Sequence, residues 1–274
     1  MPAINTNTAA NSAVRYLNLN SAQESSALSK LSSGSRITSA SDDAAGLAIS
    51  TRISSDITTL QQAATNTSEA TAILQTADGG ASNISDILAR MKSLASESAS
   101  GTVTDSSRTY INSEFTQLSS EIDSIASGTR YSSQSLLDGS SVFASGVSVL
   151  VGSQSTDTIT ISLSSLTSTS LGVKTLDVST QADANTALTT LDAAINTVSA
   201  ARADIGAQES RFNFSADSIS TQTQNLQSAN SAISDVDIAS ELATLSSAEV
   251  KTQAAVSAEA AANQMPQYLL KLLG

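Results

Sequence analysis

From Leu188 to Ile233 every seventh residue is apolar without a break: Leu191, Val198, Ile205, Phe212, Ile219, Leu226 and Ile233. A strict seven-residue repeat predicts a long helix whose seam winds left-handedly around a partner. The companion seam position runs Leu188, Ile195, Arg202, Glu209, Ala216, Thr223 and Asn230, apolar at first and polar later. At about 1.5 Å per residue this helix is roughly 65 Å long, so it needs partners of similar length.

Two earlier stretches have the pattern of such partners. Ile49, Ile53, Ile57 and Leu60 mark one helical face, which Ala81, Ile84, Leu88, Met91 and Ala95 continue further on. They predict a helix of about 50 residues, with a bend or break at Asp78, Gly79 and Gly80, because each interior glycine costs roughly 1 kcal/mol against alanine. Past Gly101 and Thr104, the stripe Ile111, Phe115, Leu118, Ile122 and Ile125 predicts a shorter helix. Met91 and Phe115 read as core within these stripes.

Beyond Gly128 the period falls to two. Val147, Val149 and Val151 alternate with other residues, as do Ile159, Ile161 and Leu163, with Gly152 to Asp157 between them. That is the mark of a β-hairpin. Ser164 to Ser170, almost all Ser and Thr, reads as solvated turns. Asp183 is the expected N-cap of the long helix.

The two ends of the chain resemble each other. In residues 1–33, Val14, Leu17, Leu28 and Leu31 fall on a heptad frame filled out by Ser21 and Glu24. In the last forty or so, Ile238, Leu242 and Leu245 continue the long helix, thin to alanine, and recover at Met265, Leu269 and Leu272. Neither stripe carries enough apolar area to offset the entropy of ordering it alone. These ends are expected to order only against neighbouring copies, and contacts between unlike surfaces of successive copies give an open helical polymer.

The predicted fold is mainly α: an elongated antiparallel helical bundle or coiled coil with a small β-hairpin region, both termini forming helical arms at one end. Residues 1–44 form an N-terminal helical arm and 233–274 a C-terminal one. Residues 45–232 form a rod domain with helices at about 45–98, 105–127 and 184–232 and a hairpin region at about 140–180.

Composition narrows the chemistry. The chain has no Cys, His or Trp, which removes disulfides, thiolate metal sites, the commonest metal ligand and the commonest general base. Net charge is −12 and the 13 basic residues are scattered singly, so no basic stripe faces a phosphate backbone and nucleic-acid binding is not expected. Asp42 and Asp43 read as helix-capping residues, Ser41 or Asp42 being the cap, rather than as ligands of a calcium site, which wants six to eight oxygens. No metal, cofactor or catalytic residue is expected. No stretch reaches the 18 apolar residues of a membrane span, and the N-terminal sequence has no charged start followed by an apolar run.

Four segments carry a family resemblance: LSSGSRITSASDDAAGLAIS at 31–50, LQTADGGASNISDILARM at 74–91, RYSSQSLLDG at 130–139 and ALTTLDAAINTVSAARADIGAQESRFN at 187–213. ANQMPQYLLKLLG at 262–274 is of the same kind. Occurring in this order over nearly the whole chain, they resemble bacterial flagellin. The resemblance implies an extracellular flagellar filament subunit for swimming motility, exported unfolded by the type III apparatus, with the arms lining the inner tube. It also implies an export chaperone, a filament cap and a hook-junction protein as partners, besides further copies of the chain. The short centre implies that the large outer domains of longer flagellins are missing. In the segment read by innate immune receptors in some flagellins, Arg90 and Leu94 are present, while Ser93 and Ala89 replace a frequent Glu and Gln.

The rival readings are a hook-filament junction protein, which tends to have proline after the aspartate pair where this chain has Ala44, and another coiled-coil scaffold. A catalytic insert needs a zinc-binding HExxH helix, and this chain has no His. Arg202 and Glu209 are candidates for control of register or switching between filament forms, against a plainer reading as solvated seam-edge residues. Ser153, Ser155, Thr156 and Thr167 are candidates for O-glycosylation.

Overall fold

The computed structural model describes residues 6–273, with side chains described as far as Tyr268. The fold is mainly α: helices α1 (Thr8–Ser33), α2 (Ala44–Ala99), α3 (Asp105–Gly128), α4 (Val142–Ser145), α5 (Gln181–Ser234) and α6 (Ile238–Leu273). Two antiparallel hairpins complete it, β1 (Arg130–Tyr131) with β2 (Gln134–Ser135) and β3 (Val147–Leu150) with β4 (Thr158–Ile161). The chain divides into two compact units, residues 56–224 and residues 1–55 with 225–274.

In the unit of residues 56–224, α2, α3 and α5 share one core with the hairpins. Along α2 the apolar positions with no exposed surface are Leu74, Ala77, Ala81, Ile84, Leu88, Met91 and Ala95, alternately three and four residues apart. Phe115 and Ile122 of α3 are equally buried, while Ile111 and Leu118 are half-buried against them. On α5, Leu191, Val198, Ile205, Phe212 and Ile219 are buried, and Leu226, in the other unit, is half-buried.

The companion line of the α5 seam differs from the expected one. Ala187, Ala194 and Ala201 are the buried positions, whereas Leu188 and Ile195 are only half-buried beside them. Alanine lets two helix backbones approach closely, so the larger neighbours are turned to the flank. Arg202 therefore lies beside the seam.

The break expected at Asp78–Gly80 is absent, and α2 runs through it unbroken. A Cβ at Gly80 would stand 2.4 Å from Thr129 Oγ1 and 2.9 Å from Leu137 Cδ1, so this glycine admits a close neighbour rather than ending a helix. The β1–β2 hairpin turns on Ser132 and Ser133, both at positive φ (47° and 69°), without the Asn-Gly or Asp-Gly that usually announces such a turn. Ser164–Ser170 is not a solvated turn: Leu166 and Ser168 are fully buried. Asp123 fastens the segment, accepting from Ser168 N–H and Oγ–H, both at 2.8 Å.

The expected caps also move by a few residues. Asp43, rather than Ser41 or Asp42, accepts from Gly46 N–H at 2.8 Å at the start of α2. Thr180, rather than Asp183, is the cap ahead of α5: its Oγ1 accepts from Asp183 N–H at 3.1 Å and its hydroxyl donates to the Asp183 carboxylate. Arg108 is buried and closes the α2–α3 turn, donating to Ser98 and Ser100 carbonyls and to Asp105 Oδ1, each at 2.8 Å.

Candidate functional site

The unit of residues 1–55 and 225–274 is built on α1 packed antiparallel to α6. The long C-terminal helix does not continue through Ile238 as its apolar pattern implies. Residues 235–237 interrupt it, and Asp237 Oδ1 accepts from Ala239 and Ser240 N–H to start α6. Beside that break the two chain passes are stitched together. Arg36 N–H donates to Ser234 carbonyl at 2.6 Å, Val236 N–H to Gly34 carbonyl at 3.1 Å, and the Arg36 guanidinium to Ile233 carbonyl at 2.7 Å. Gly34 ends α1 in the left-handed region (φ 71°), a conformation that suits glycine.

The seam between α1 and α6 is small and polar. Its covered positions are Ala10, Ala13, Leu17, Asn20, Glu24, Ala27 and Leu31 on α1, and Glu241, Leu245, Ala248, Thr252, Ala255, Glu259, Ala262 and Pro266 on α6. Both run at alternating three- and four-residue spacing. Only the alanines Ala10, Ala27, Ala248, Ala255 and Ala262 are buried among them.

Of the heptad frame chosen from the large residues of α1, the line of Leu17, Glu24 and Leu31 lies on the seam and the other line is turned by one position. Ala13, Asn20 and Ala27 face α6, while Val14, Ser21 and Leu28 lie on the flank. Leu28 is 59% exposed and Val14 37%. On α6, Ile238, Leu242 and Met265 are exposed at 59%, 50% and 58%, joined by Val250, Val256 and Tyr268. Leu17, Leu31 and Leu245 are half-buried, and the side chains of Leu269 and Leu272 lie outside the described residues.

At the far end of the seam Asn7 has two partners. Its Oδ1 accepts from Ala10 N–H at 3.1 Å, which caps α1, and its Nδ2 donates to Ala262 carbonyl at 2.8 Å. Pro266 lies inside α6 and has no N–H to offer the carbonyl four residues before it, which is that of Ala262. The side chain of one arm therefore satisfies the acceptor that proline leaves open in the other. An asparagine ahead of an apolar-periodic run and a proline near the chain end were both visible in the sequence, but nothing there pairs them.

Among the other candidates, Arg202 forms a two-pronged pair with Asp78, Nε to Oδ1 at 2.8 Å and Nη2 to Oδ2 at 3.3 Å, joining α5 to α2. Hydrogen bonding to Asp78 raises the already high guanidinium pKa further. Glu209 is half-buried, and its Oε1 has no hydrogen-bond partner. Ser153, Ser155 and Thr156 are exposed in the β3–β4 turn, whereas Thr167 is half-buried and accepts from Ser170 N–H at 3.2 Å. Arg90 pairs with Glu114 of α3 at 2.7 Å. The described residues hold no group of three or more acidic or other ligating side chains able to bind a metal, and no helix long and apolar enough to cross a membrane.

Comparison with known proteins points the same way as this geometry. Residues 4–142 match the bacterial flagellin N-terminal helical region and residues 188–273 the bacterial flagellin C-terminal helical region. The flagellin of Halalkalibacterium halodurans is 35% identical, covering 98% of this chain and 99% of that one. The flagellar filament 30.7 kDa core protein of Treponema maltophilum is 34% identical with the same coverage. The crystal structure of Bacillus cereus flagellin is similar at a TM-score of 0.52 and 31% identity, over 61% of this chain and 94% of that one. A putative flagellar hook-associated protein from Vibrio parahaemolyticus shares the fold at a TM-score of 0.56, but only 16% of its residues. The chain belongs to the bacterial flagellin family.

Proposed function

We propose that the apolar side chains which α1 and α6 turn away from each other are the contacts through which this chain polymerises. As a flagellin it is a structural subunit of the extracellular flagellar filament. The observation that supports this use of the arms is the placement of Leu28, Ile238, Leu242, Val256 and Met265, all at least half exposed on helices whose mutual seam buries only alanines. A soluble chain rarely leaves so many large apolar residues on one pair of helices unless another surface covers them. Burial in the polymer supplies the apolar contact that the alanine seam lacks, so ordering of the arms is coupled to assembly.

The division into inner arms at 1–44 and 233–274 and a shell domain at 45–232 belongs to the same proposal. So do the role of the Arg202–Asp78 pair in fixing register between α5 and α2, and O-glycosylation at Ser153, Ser155 or Thr156 in the exposed turn. An export chaperone, a filament cap and a hook-junction protein are the proposed partners during export and growth, and the chain has no catalytic role.

Deletion of residues 1–30 tests the assembly reading. The expected product keeps a cooperative helical melt from the core of residues 56–224 and gives no filaments in electron micrographs after seeding. Filaments of normal length from the deleted chain would refute it.

A further inference from the structure

We propose that Met265 is an oxidation site in the unassembled chain, and that its sulfoxide blocks polymerisation. The inference about polymerisation rests on the assembly reading above. The chain offers oxidants few targets, since it has no Cys, His or Trp and three methionines. Of the two methionines with described side chains, Met91 has none of its surface exposed, buried in the core with Leu88 and Ala95, and Met265 on α6 is 58% exposed. The two thioethers thus differ in access while sharing one chain and one backbone conformation.

The reactant is a peroxide. The thioether sulfur attacks one peroxide oxygen, the O–O bond breaks and an S–O bond forms. With hydrogen peroxide the second oxygen leaves as water, and the sulfur is oxidised by two electrons as the peroxide is reduced. The product replaces a flexible apolar side chain with a polar one. Met265 stands one residue before Pro266 and three before Tyr268, itself 62% exposed, on the outward side of the arm. A polar sulfoxide there would have to be desolvated by the next subunit without a partner designed for it.

The test uses the full chain as monomer, treated with dilute hydrogen peroxide, quenched, and divided between peptide mass mapping and a seeded polymerisation assay. Met265 is expected to gain oxygen at least about tenfold faster than Met91, and the treated chain to elongate several-fold more slowly. The variant M265L, near-isosteric and equally helix-forming, is expected to elongate at one and the same rate before and after treatment. M265Q, a permanent polar substitute, is expected to elongate as slowly as the treated wild type.

Met265 as slow to oxidise as Met91 would overturn the site. Equal loss of elongation in treated wild type and treated M265L, or normal elongation of M265Q, would overturn its effect. Failure of the untreated chain to polymerise would overturn the assembly reading instead, and the oxidation ratio of the two methionines would still decide the site.

Discussion

The two units of this flagellin bury opposite kinds of residue. The core of residues 56–224 holds Phe115, Phe212, Leu74, Ile84, Leu88 and Met91 with almost no exposed surface, while the arm unit buries chiefly Ala10, Ala27, Ala248, Ala255 and Ala262. Most of the large apolar residues described on the arms, among them Leu28, Ile238, Leu242 and Met265, are exposed. Each buried CH2 contributes about 0.8 kcal/mol, so a leucine seam stabilises a helix pair far more than an alanine seam of equal length. One unit is thus built to stand alone and the other to be completed.

The contrast can be broken from either side. The largest expected effect is L88A, which removes a fully buried side chain from the core and should cost about 2–5 kcal/mol in a denaturant melt. The paired change L28S and L242S should leave that melt within about 0.5 kcal/mol, as befits exposed positions, and abolish filament growth. A large loss of monomer stability from the pair would mean that these residues are not free.

G80A sharpens the core side. Helix propensity alone predicts a gain of roughly 1 kcal/mol, but the new Cβ would overlap Thr129 and Leu137, so a net loss of about 1–3 kcal/mol is expected in the same melt. A net gain would show that Thr129 can turn away cheaply.

On the arm side, N7A removes both the cap of α1 and the bond to Ala262, while N7D keeps an accepting oxygen for Ala10 N–H and removes the donor. N7A is expected to lower arm helicity, measured by hydrogen exchange of the first turn of α1, by about 0.5–2 kcal/mol of protection. N7D should spare that turn and loosen only the pairing with α6.

The smallest effect concerns acid. Hydrogen bonds from Thr38 and Ser39 hold the Asp42 carboxyl below its ordinary range in the arm unit, and the Ser140 N–H does the same for Asp138 in the core. A lowered folded pKa means that the stabilisation is present above the ordinary carboxylate pKa and is lost as pH falls through the lowered value. D42N should flatten this acid limb for exchange around Thr38 and Ser39, and D138N should flatten it for Ser140, each leaving the other unchanged.

Much of the core was legible because size and period agree there: Leu191, Val198, Ile205 and Phe212 are both the largest residues of their stripe and the buried ones. Where the two disagree the reading slips by one position, as from Leu188 to Ala187 on α5 and from Val14 to Ala13 on α1. Hydrophobicity ranks alanine low, whereas close helix packing favours it for being small. Gly80 misled for a related reason, since a helix-weakening residue was needed there for its missing side chain. The serine turn at 132–133 takes its positive φ values without a glycine or asparagine to announce it, and the burial of Arg108 follows from its bonds to Ser98 and Ser100 carbonyls across the α2–α3 turn, which no apolar period marks.

The pairing of Asn7 with Ala262 acts as an address. Ala248, Ala255 and Ala262 recur at intervals of one heptad, so along that line α6 presents the same small side chain to α1 three times. Only at Ala262 has a proline vacated a carbonyl, and only in the observed alignment does Asn7 reach it. A repeat with interchangeable teeth is thereby given a single zero mark.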